Sequence, residues 1–452
     1  MQHPNIQQLF SSYTFDHKHN FIFPRAAGGD LEALFTAEDR PLELKEDVNY
    51  YIALARLCSG VEAMHSFTVS ERLDVHVMGL HRDIKPRNIL VNGCSFILTD
   101  FGLSTFKSIV DLSETQFKIG GGDCLPPECQ DLQTFKKGVV GCSGDIWALG
   151  CVMLELLVYM MEGPTGVLTF RKKRPVQAVF IKRTFHGPGK EVNPYVLGLM
   201  HRLHGSCRLR GKQLIELIRS MLKIEPKSRP LTAEVTLKAC YLAIDGLMDL
   251  LIDSYTAMLA STNSIQGSVE YWKLESWHHI SIKEGAGLRS VEKVVASRFD
   301  EIIELLQTSR VEVERISAVH ESTGQALFHD LRRMNETLIN MLPEEAQRRS
   351  ITYLDVKCLG DEAFSSTEAF ESTDTDNSSV LHRLGTLAYA RKFSKDISTA
   401  YESMLSELTE AGLSGVGLDA DAVEVEGSPK SQEHNLGWVS SGDEARKRVL
   451  IE

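Results

Sequence analysis

The sequence lacks the features typical of secreted proteins and of proteins stabilised by a structural metal ion. Its nine cysteines are scattered without a C-x-x-C pair, which argues against a zinc site and favours reduced thiols over a disulfide framework. Residues 1–20 contain no apolar segment of the kind found in a secretory signal. We therefore expect an intracellular protein of the cytoplasm or nucleus.

Long apolar runs and clustered positive charge are also scarce. The longest apolar run, 146–161, is interrupted by Glu155 and is too short to cross a bilayer, so it predicts a buried core helix. The net charge of −12 argues against nucleic acid, because counterion release needs clustered Lys and Arg. One basic stretch, RKKRP at 171–175, is interpreted as a localisation patch or a solvated loop. Neither a membrane nor a nucleic acid is expected as a partner.

The chain is long enough, at 452 residues, for two or three domains. Strand-like patterns are confined to its first part, whereas helical periodicity continues into the second half. The sequence thus predicts an α+β fold that is mainly α. The expected regions are a two-stranded part at 1–27, a larger lobe at 28–245, a helical region at 246–410 and an acidic, disordered tail at 411–452.

Local patterns place a helix and a hairpin on either side of a polar loop. An apolar face at helical spacing runs through 43–65. Two apolar strands flank Asn92-Gly93, a pair that tolerates positive φ and predicts a hairpin. The loop 81–88 is therefore expected between the helix and the hairpin.

This loop reads HRDIKPRN and is followed by Asp100-Phe101-Gly102. Asp83 is a carboxylate of the kind that a hydroxyl nucleophile needs nearby. Asn88 and Asp100 offer hard oxygen atoms, which metal ions that bridge phosphates require. Lys85 supplies a point charge where negative charge develops. The four side chains form a set suited to phosphoryl transfer.

Residues 81–100 resemble the catalytic loop and metal-binding motif of the eukaryotic protein kinases, of the serine/threonine type. The resemblance implies that Asp83 accepts the proton of the substrate hydroxyl and that Lys85 neutralises the γ-phosphate. It also implies that Asn88 and Asp100 hold Mg²⁺, so ATP and Mg²⁺ are the expected cofactors and a protein is the expected substrate. The resemblance further assigns structural or regulatory roles to His81, Arg82, Phe101 and Gly102.

Three motifs downstream extend the resemblance. Pro126-Pro127-Glu128 resembles the Ala-Pro-Glu element, and Ser228-Arg229-Pro230 resembles the motif whose arginine pairs with that glutamate. Asp145-Ile146-Trp147 resembles the start of the central helix, where the aspartate holds the catalytic loop. The resemblance therefore implies structural roles for Glu128, Asp145 and Arg229.

Upstream, HPNI at 3–6 resembles the link into strand four of the kinase small lobe. The resemblance then implies that Phe23 is the gatekeeper, that Ala26 belongs to the hinge facing adenine, and that Leu90 lies under the adenine ring. Two interpretations of Asp30 remain open, a ligand of the ribose hydroxyls and a plain helix cap.

Hydroxyl side chains between Gly102 and Glu128 are candidates for phosphorylation, since a phosphate there would gain charge-assisted bonds to Arg82. Thr115 is favoured for its distance from Glu128, with ordinary loop polarity as the alternative interpretation. The other candidates are Ser104, Thr105, Ser108 and Ser113.

The chain also departs from the family pattern. No G-x-G-x-x-G loop, V-A-I-K lysine or helix-C glutamate precedes the catalytic loop. We expect either an incomplete, N-terminally truncated gene model or a pseudokinase or scaffold that acts through protein–protein interaction. If the chain is truncated as given, we expect little or no activity, because ATP would lose the phosphate-loop amides and the lysine that orients its α- and β-phosphates. In the second case the apolar helical faces after residue 290 would bind a partner; the alternative is that they pack into a bundle. An insertion at 66–79 has no functional interpretation from the sequence.

Overall fold

The chain divides into two units, residues 1–354 and residues 355–452. Helices dominate the first unit. The structure is a computed structural model that describes residues 2–70, 75–108, 115–116, 122–129, 138–174, 183–187, 191–262, 265–284, 288–318, 328–350, 436–440 and 447–451. Its helices are α1 Leu31–Leu34, α2 Asp47–His65, α3 Cys142–Lys173, α4 Pro194–Ser206, α5 Leu209–Met221, α6 Thr232–Thr262, α7 Ile265–His278, α8 Arg289–Ser297, α9 Phe299–Ala318 and α10 His329–Met341. Residues 344–350 are also helical.

The strands are short, pair antiparallel and are concentrated near the predicted catalytic loop. The first unit contains β1 Ser11–Phe15, β2 Lys18–Ile22, β3 Phe67–Ser70, β4 Val75–Leu80, β5 Ile89–Asn92, β6 Ser95–Leu98, β7 Thr105–Ser108, β8 Thr115–Gln116 and β9 Val139–Val140. They pair as β1–β2, β3–β4–β7, β5–β6 and β8–β9. The second unit contains one pair, β10 Leu436–Ser440 with β11 Lys447–Ile451. The mainly helical α+β fold is confirmed. In the tail predicted to be disordered, 411–452, the described residues 436–440 and 447–451 form β10 and β11. The rest of that tail, and residues 351–410 of the predicted helical region, lie outside the described residues.

The predicted core helix is the centre of the first unit. Among the described residues, α3 is the one helix long and apolar enough to span a bilayer, and 94 % of its most apolar window is buried. Gly163 breaks the helix with a φ of 66°, a left-handed value that glycine adopts without strain. Pro164 follows and begins the second half. The interpretation of 146–161 as a buried core helix is confirmed.

The basic stretch at 171–174 is the C-terminal end of α3, which corrects its interpretation as a solvated loop, whereas a role as a localisation patch stays a prediction. Arg174 has a fully buried side chain and lies 3.2 Å from Glu155, and Arg171 lies 2.6 Å from the same carboxylate. Sixteen residues of straight helix would separate Glu155 from Arg171 by about 24 Å. The break at Gly163 therefore reverses the direction of the helix and brings Arg171 close to Glu155. The order of residues in the sequence alone does not indicate this contact.

Helix α6 runs without a break through residue 245, where the sequence suggested the end of a region. Leu247, Leu251 and Tyr255 continue its apolar face and are buried in the same core as the residues before them. The apolar faces of α9 and α10 are buried in that core as well, so packing into a bundle is the interpretation that the structure supports for them. The buried members include Ile302, Ile303, Leu306, Leu331 and Leu338.

Ion pairs also connect the helices after residue 245 to α2. Arg56 Nε lies 2.7 Å from Asp300 Oδ1, and Arg310 makes two contacts of 2.9 and 3.0 Å with Glu46. These side chains are partly exposed, so each pair contributes at most about 1 kcal/mol. Apolar burial therefore holds the two regions together, and the ion pairs fix their register.

Candidate active site

The β5–β6 hairpin brings the amide and the second carboxylate of the predicted set together. Asn92 pairs with Ser95, so the turn consists of Gly93 and Cys94, and only Gly93 has a positive φ, of 57°. The predicted hairpin is thus confirmed with its turn one residue later. Thr99 donates its N–H to the carbonyl of Asn88 at 3.0 Å. Asp100, which follows Thr99, therefore leaves the sheet beside Asn88.

Three of the predicted site residues meet at one carboxylate oxygen. Lys85 Nζ donates to Asp83 Oδ2 at 2.6 Å, and Asn88 Nδ2 donates to the same atom at 2.9 Å. The Asn88 amide also donates to the backbone carbonyl of Asp83 at 2.8 Å. Asp83 and Asn88 are buried, whereas Lys85 is half-buried. The loop thus holds its carboxylate between a cation and an amide.

Asp100 has an unusual backbone conformation. Its φ is 63°, in the left-handed region, and its Oδ1 accepts the N–H of Gly102 at 3.3 Å. Phe101 places its ring edge-on against His81, with 5.2 Å between ring centroids. Asp100 is exposed. Backbone strain of this kind persists where surrounding contacts enforce it, as at functional sites.

The donor set fits Mg²⁺ that is bound together with phosphate. Asn88 uses its amide nitrogen on Asp83, which leaves its amide oxygen as the ligand atom, and Asp100 adds a carboxylate. Mg²⁺ commonly takes one or two carboxylate or amide ligands and completes its shell with phosphate and water. Within the described ranges no group of three or more His, Cys, Asp or Glu side chains offers a site of another kind.

The carboxylate of Asp145 binds the backbone of the catalytic loop. Its two carboxylate oxygens accept the N–H groups of His81 at 2.8 Å and of Arg82 at 2.7 Å. Arg82 has a φ of 70°, which costs free energy in a residue with a side chain. The two charge-assisted bonds offset that strain, as the resemblance implied for Asp145. The His81 ring in turn shares a hydrogen bond of 2.9 Å with the carbonyl of Thr99.

His65, at the end of α2, is a site residue that the sequence analysis did not identify. Its Nε2 lies 3.0 Å from Asp145 Oδ2 and its Nδ1 lies 2.6 Å from Thr232 Oγ1. Burial lowers the pKa of His65, but hydrogen bonding and the charge of Asp145 outweigh burial and raise the pKa to about 9. Burial likewise raises the pKa of Asp145, and the His65 partner holds it below its ordinary value. The pair is ionic at neutral pH.

We expect the free energy of unfolding to fall as the pH rises from about 6.5 to about 9. Because the pKa of His65 is raised on folding, its stabilisation is complete below 6.5 and is lost as the pH passes the folded value. The slope approaches about 1.4 kcal/mol per pH unit. Urea unfolding at several pH values measures it. His65→Gln is expected to flatten the slope, and His201→Gln, at an exposed position, is expected to keep it; equal slopes in all three proteins would contradict the assignment.

The phosphorylation candidates differ in what they contact. Arg82 Nη1 donates to Thr105 Oγ1 at 2.8 Å, so Thr105 is the hydroxyl next to this guanidinium. Thr115 pairs through its backbone with Val140, and its side chain lies outside the described part of the chain. The structure therefore gives Thr105 a contact that the choice of Thr115 by distance from Glu128 did not anticipate.

Glu128 and Arg229 form the ion pair that the resemblance implied. Arg229 donates from two nitrogens to the two oxygens of Glu128, at 2.6 and 2.8 Å. The same guanidinium lies 5.1 Å from the ring of Trp147 and donates to three backbone carbonyls. Its side chain is 0 % exposed. The pair thus joins the segment around residue 128 to the connection between α5 and α6.

The residues assigned to adenine and ribose are only partly brought together. Ala26 and Leu90 line one open cleft of about 140 Å³, together with Ile6 and Ile97. Phe23 is 45 % exposed and does not line that cleft. Asp30 caps α1, since its Oδ1 accepts the N–H of Ala33 at 2.8 Å. The cap interpretation of Asp30 is therefore confirmed, and its contact with ribose stays a prediction.

Comparison with known proteins agrees with this arrangement. Residues 1–242 match the protein kinase domain. The chain is 30 % identical over 185 residues to serine/threonine-protein kinase PDK1 of Cryptococcus neoformans, 30 % identical over 158 residues to serine/threonine-protein kinase PrkC of Bacillus subtilis, and 28 % identical over 159 residues to serine/threonine-protein kinase nekl-2 of Caenorhabditis elegans. These matches cover 39, 35 and 35 % of this chain but only 14, 22 and 41 % of those proteins.

Proposed function

The chain belongs to the protein kinase family, and on this premise we propose that it transfers the γ-phosphate of Mg-ATP to a serine or threonine hydroxyl of a protein substrate. The observation that carries the proposal is the meeting of Lys85 and Asn88 at one oxygen of Asp83, with Asp100 leaving the sheet beside them. The serine/threonine assignment is supported by Lys85 and by the names of the three relatives. Because the chain spans less than half of each of them, its substrate and partners are proposals.

Each residue has a distinct task in the proposed reaction. Asp83 accepts the proton of the substrate hydroxyl, and its hydrogen bond from Asn88 keeps the carboxylate oriented. Lys85 lies where it stabilises negative charge on the transferred group. Asn88 and Asp100 are the residues that would hold Mg²⁺, which, when bound with ATP, neutralises the phosphate charges.

A non-enzymatic interaction protein is the alternative, and one observation favours it. The β1–β2 hairpin exposes large aromatic side chains, with Phe10 79 % and Phe15 74 % exposed. Exposed apolar surface of this kind often marks an interaction site. In this alternative the kinase-like lobe serves as a platform for a protein partner.

Transfer of labelled phosphate from ATP to protein acceptors tests the proposal. We expect any label that the purified chain incorporates to require Mg²⁺ and to be lost when EDTA removes the metal, because Asn88 and Asp100 are the oxygen ligands proposed to hold Mg²⁺. Incorporation that persists without divalent metal would contradict the assigned chemistry. A well-folded chain that transfers no label would favour the interaction protein.

We also propose an intracellular location, in the cytoplasm or nucleus. Eight cysteines lie in the described part of the chain, and all of them are free thiols there. Several are fully buried, among them Cys58, Cys151 and Cys240, where burial raises the thiol pKa. Unpaired, buried thiols are typical of proteins in reducing compartments.

A further inference from the structure

The insertion at 66–79 folds as two strands that lie directly before the catalytic loop. Strand β3 pairs with β4, with Phe67 opposite Val77 and Thr68 opposite His76. The register shifts between Thr68 and Ser70, which is the mark of a β-bulge. Strand β4 ends at Leu80, and His81 follows at once. The insertion is therefore covalently continuous with the site.

Strand β4 also pairs on its other edge with β7, which lies directly after Asp100-Phe101-Gly102. Leu80 is opposite Thr105, Gly79 is opposite Phe106 and Val77 is opposite Ser108. Without β3, β4 and β7 would form an isolated two-stranded ribbon, which is marginally stable in water. The insertion supplies β3 and residues 75–79 of β4, and so it changes the stability of the segment that follows the metal-binding carboxylate.

One aromatic contact connects the two outer strands across β4. The rings of Phe67 and Phe106 meet edge to face, with 5.9 Å between centroids and an interplanar angle of 84°. Gly79 makes room for this contact, since a Cβ there would lie 2.8 Å from Phe106 Cε1. Phe106 is 50 % exposed, and the ring of Phe67 contributes to its apolar cover.

The position of β7 determines the placement of two site residues. Thr105, its first residue, accepts the hydrogen bond of Arg82, and Ser104 donates to the carbonyl of His81 at 3.4 Å. Asp100 lies five residues before Thr105, and its carboxylate accepts the N–H of Gly102. A displaced β7 would therefore move Asp100 and break the hydrogen bond between Arg82 and Thr105.

We infer that the 66–79 insertion is a positioning element for the catalytic site. Strand β3 and the ring of Phe67 hold β7 against β4, and β7 in turn fixes the backbone that follows Asp100. The role assigned to Asp100 rests on the proposed function, whereas the bracing of β7 does not. The segment after Gly102 is then held in an extended conformation by the chain's own insertion.

Hydrogen exchange in Phe67→Ala tests the bracing without any need for activity. Loss of the aromatic pair is expected to speed amide exchange at 105–108 about two- to tenfold, with little change in the midpoint of global unfolding. Phe67→Leu keeps part of the apolar cover and is expected to be intermediate. The matched control is Phe21→Ala, which removes a 61 % exposed ring from the β1–β2 hairpin and is expected to leave exchange at 105–108 unchanged.

A second measurement addresses the site itself. Phe67→Ala is expected to raise the Mg²⁺ concentration needed for half-maximal phosphate transfer, whereas a merely structural contact would lower the unfolding midpoint and leave that concentration unaltered. Unchanged exchange at 105–108 in Phe67→Ala would overturn the inference, whatever the activity. Absence of transfer in every protein, with faster exchange in the variant, would overturn the proposed function and leave the bracing intact.

Discussion

Replacing Asp83 by Asn is expected to lower the rate of phosphate transfer by about 10²- to 10⁴-fold. The amide is nearly isosteric with the carboxylate, and its oxygen still accepts the bonds that Lys85 and Asn88 donate to Oδ2. It does not accept the proton of a substrate hydroxyl, so the loss falls on the chemical step. Radiolabel transfer at saturating ATP measures the rate, and ATP binding to the variant separates chemistry from affinity.

Asp39→Asn is the matched control for this change, because it removes one carboxylate from an exposed position. We expect it to keep the transfer rate and the unfolding midpoint of the unaltered protein. Equal transfer by the Asp83 variant and the unaltered protein would remove Asp83 from the reaction. A large drop in the unfolding midpoint of the Asp83 variant would show that the carboxylate supports the fold instead.

Replacing Arg229 by Met is expected to lower the free energy of unfolding by about 3–5 kcal/mol. Methionine preserves much of the apolar stem, but it leaves the Glu128 carboxylate without its partner inside the protein. It also leaves the carbonyls of Ser143, Lys223 and Ile224 without the donors they have now. Each buried acceptor that loses its donor adds to the loss of stability. Urea denaturation followed by tryptophan fluorescence measures the change.

Arg219→Met provides the comparison for Arg229. Arg219 pairs with Glu216 at 2.8 Å on the surface of α5, with both side chains at least 36 % exposed. Removal of an exposed pair costs about 0–1 kcal/mol. Similar losses in the two variants would mean that the Arg229 pair is not the buried lock described above. Recovery of stability in a Glu128→Leu, Arg229→Met double variant would assign the loss to the unpaired carboxylate.

The parts of the site that the sequence predicts are those encoded within a short stretch. Asp83, Lys85, Asn88 and Asp100 lie within eighteen residues, and a hairpin of fixed length determines how they meet. Capping of α1 by Asp30 is equally local, because the side chain bonds to an N–H three residues away. Local geometry of this kind follows from residue type and spacing alone.

The parts that the sequence does not predict depend on contacts between distant residues. His65 meets Asp145 across 80 positions, and no periodic pattern indicates that a helix ends beside a buried carboxylate. Arg171 contacts Glu32 across 139 positions, so a run of basic residues in the sequence does not indicate that its charges pair with carboxylates elsewhere in the fold. Pairing of β3, β4 and β7 is likewise set by tertiary packing, which local propensity does not encode.

The placement of the upstream residues shows a different limit. Phe23 and Leu90 are assigned neighbouring roles by resemblance, yet only Leu90 lines the cleft. A motif carries over the role of a residue only where its surroundings are also present. Phe23 is 45 % exposed and lies outside the lining of the cleft, so the structure does not support a gatekeeper position for it.

The uninterrupted course of α6 determines how this protein must be handled and how it can change. A recombinant fragment that stops at residue 242, where the match to the protein kinase domain ends, would cut this helix and remove Leu247, Leu251 and Tyr255. The apolar core side chains that pack against them would then be exposed, which promotes aggregation. Expression trials should therefore retain the chain to at least residue 350. For the same reason, the helices after residue 245 do not form a detachable module.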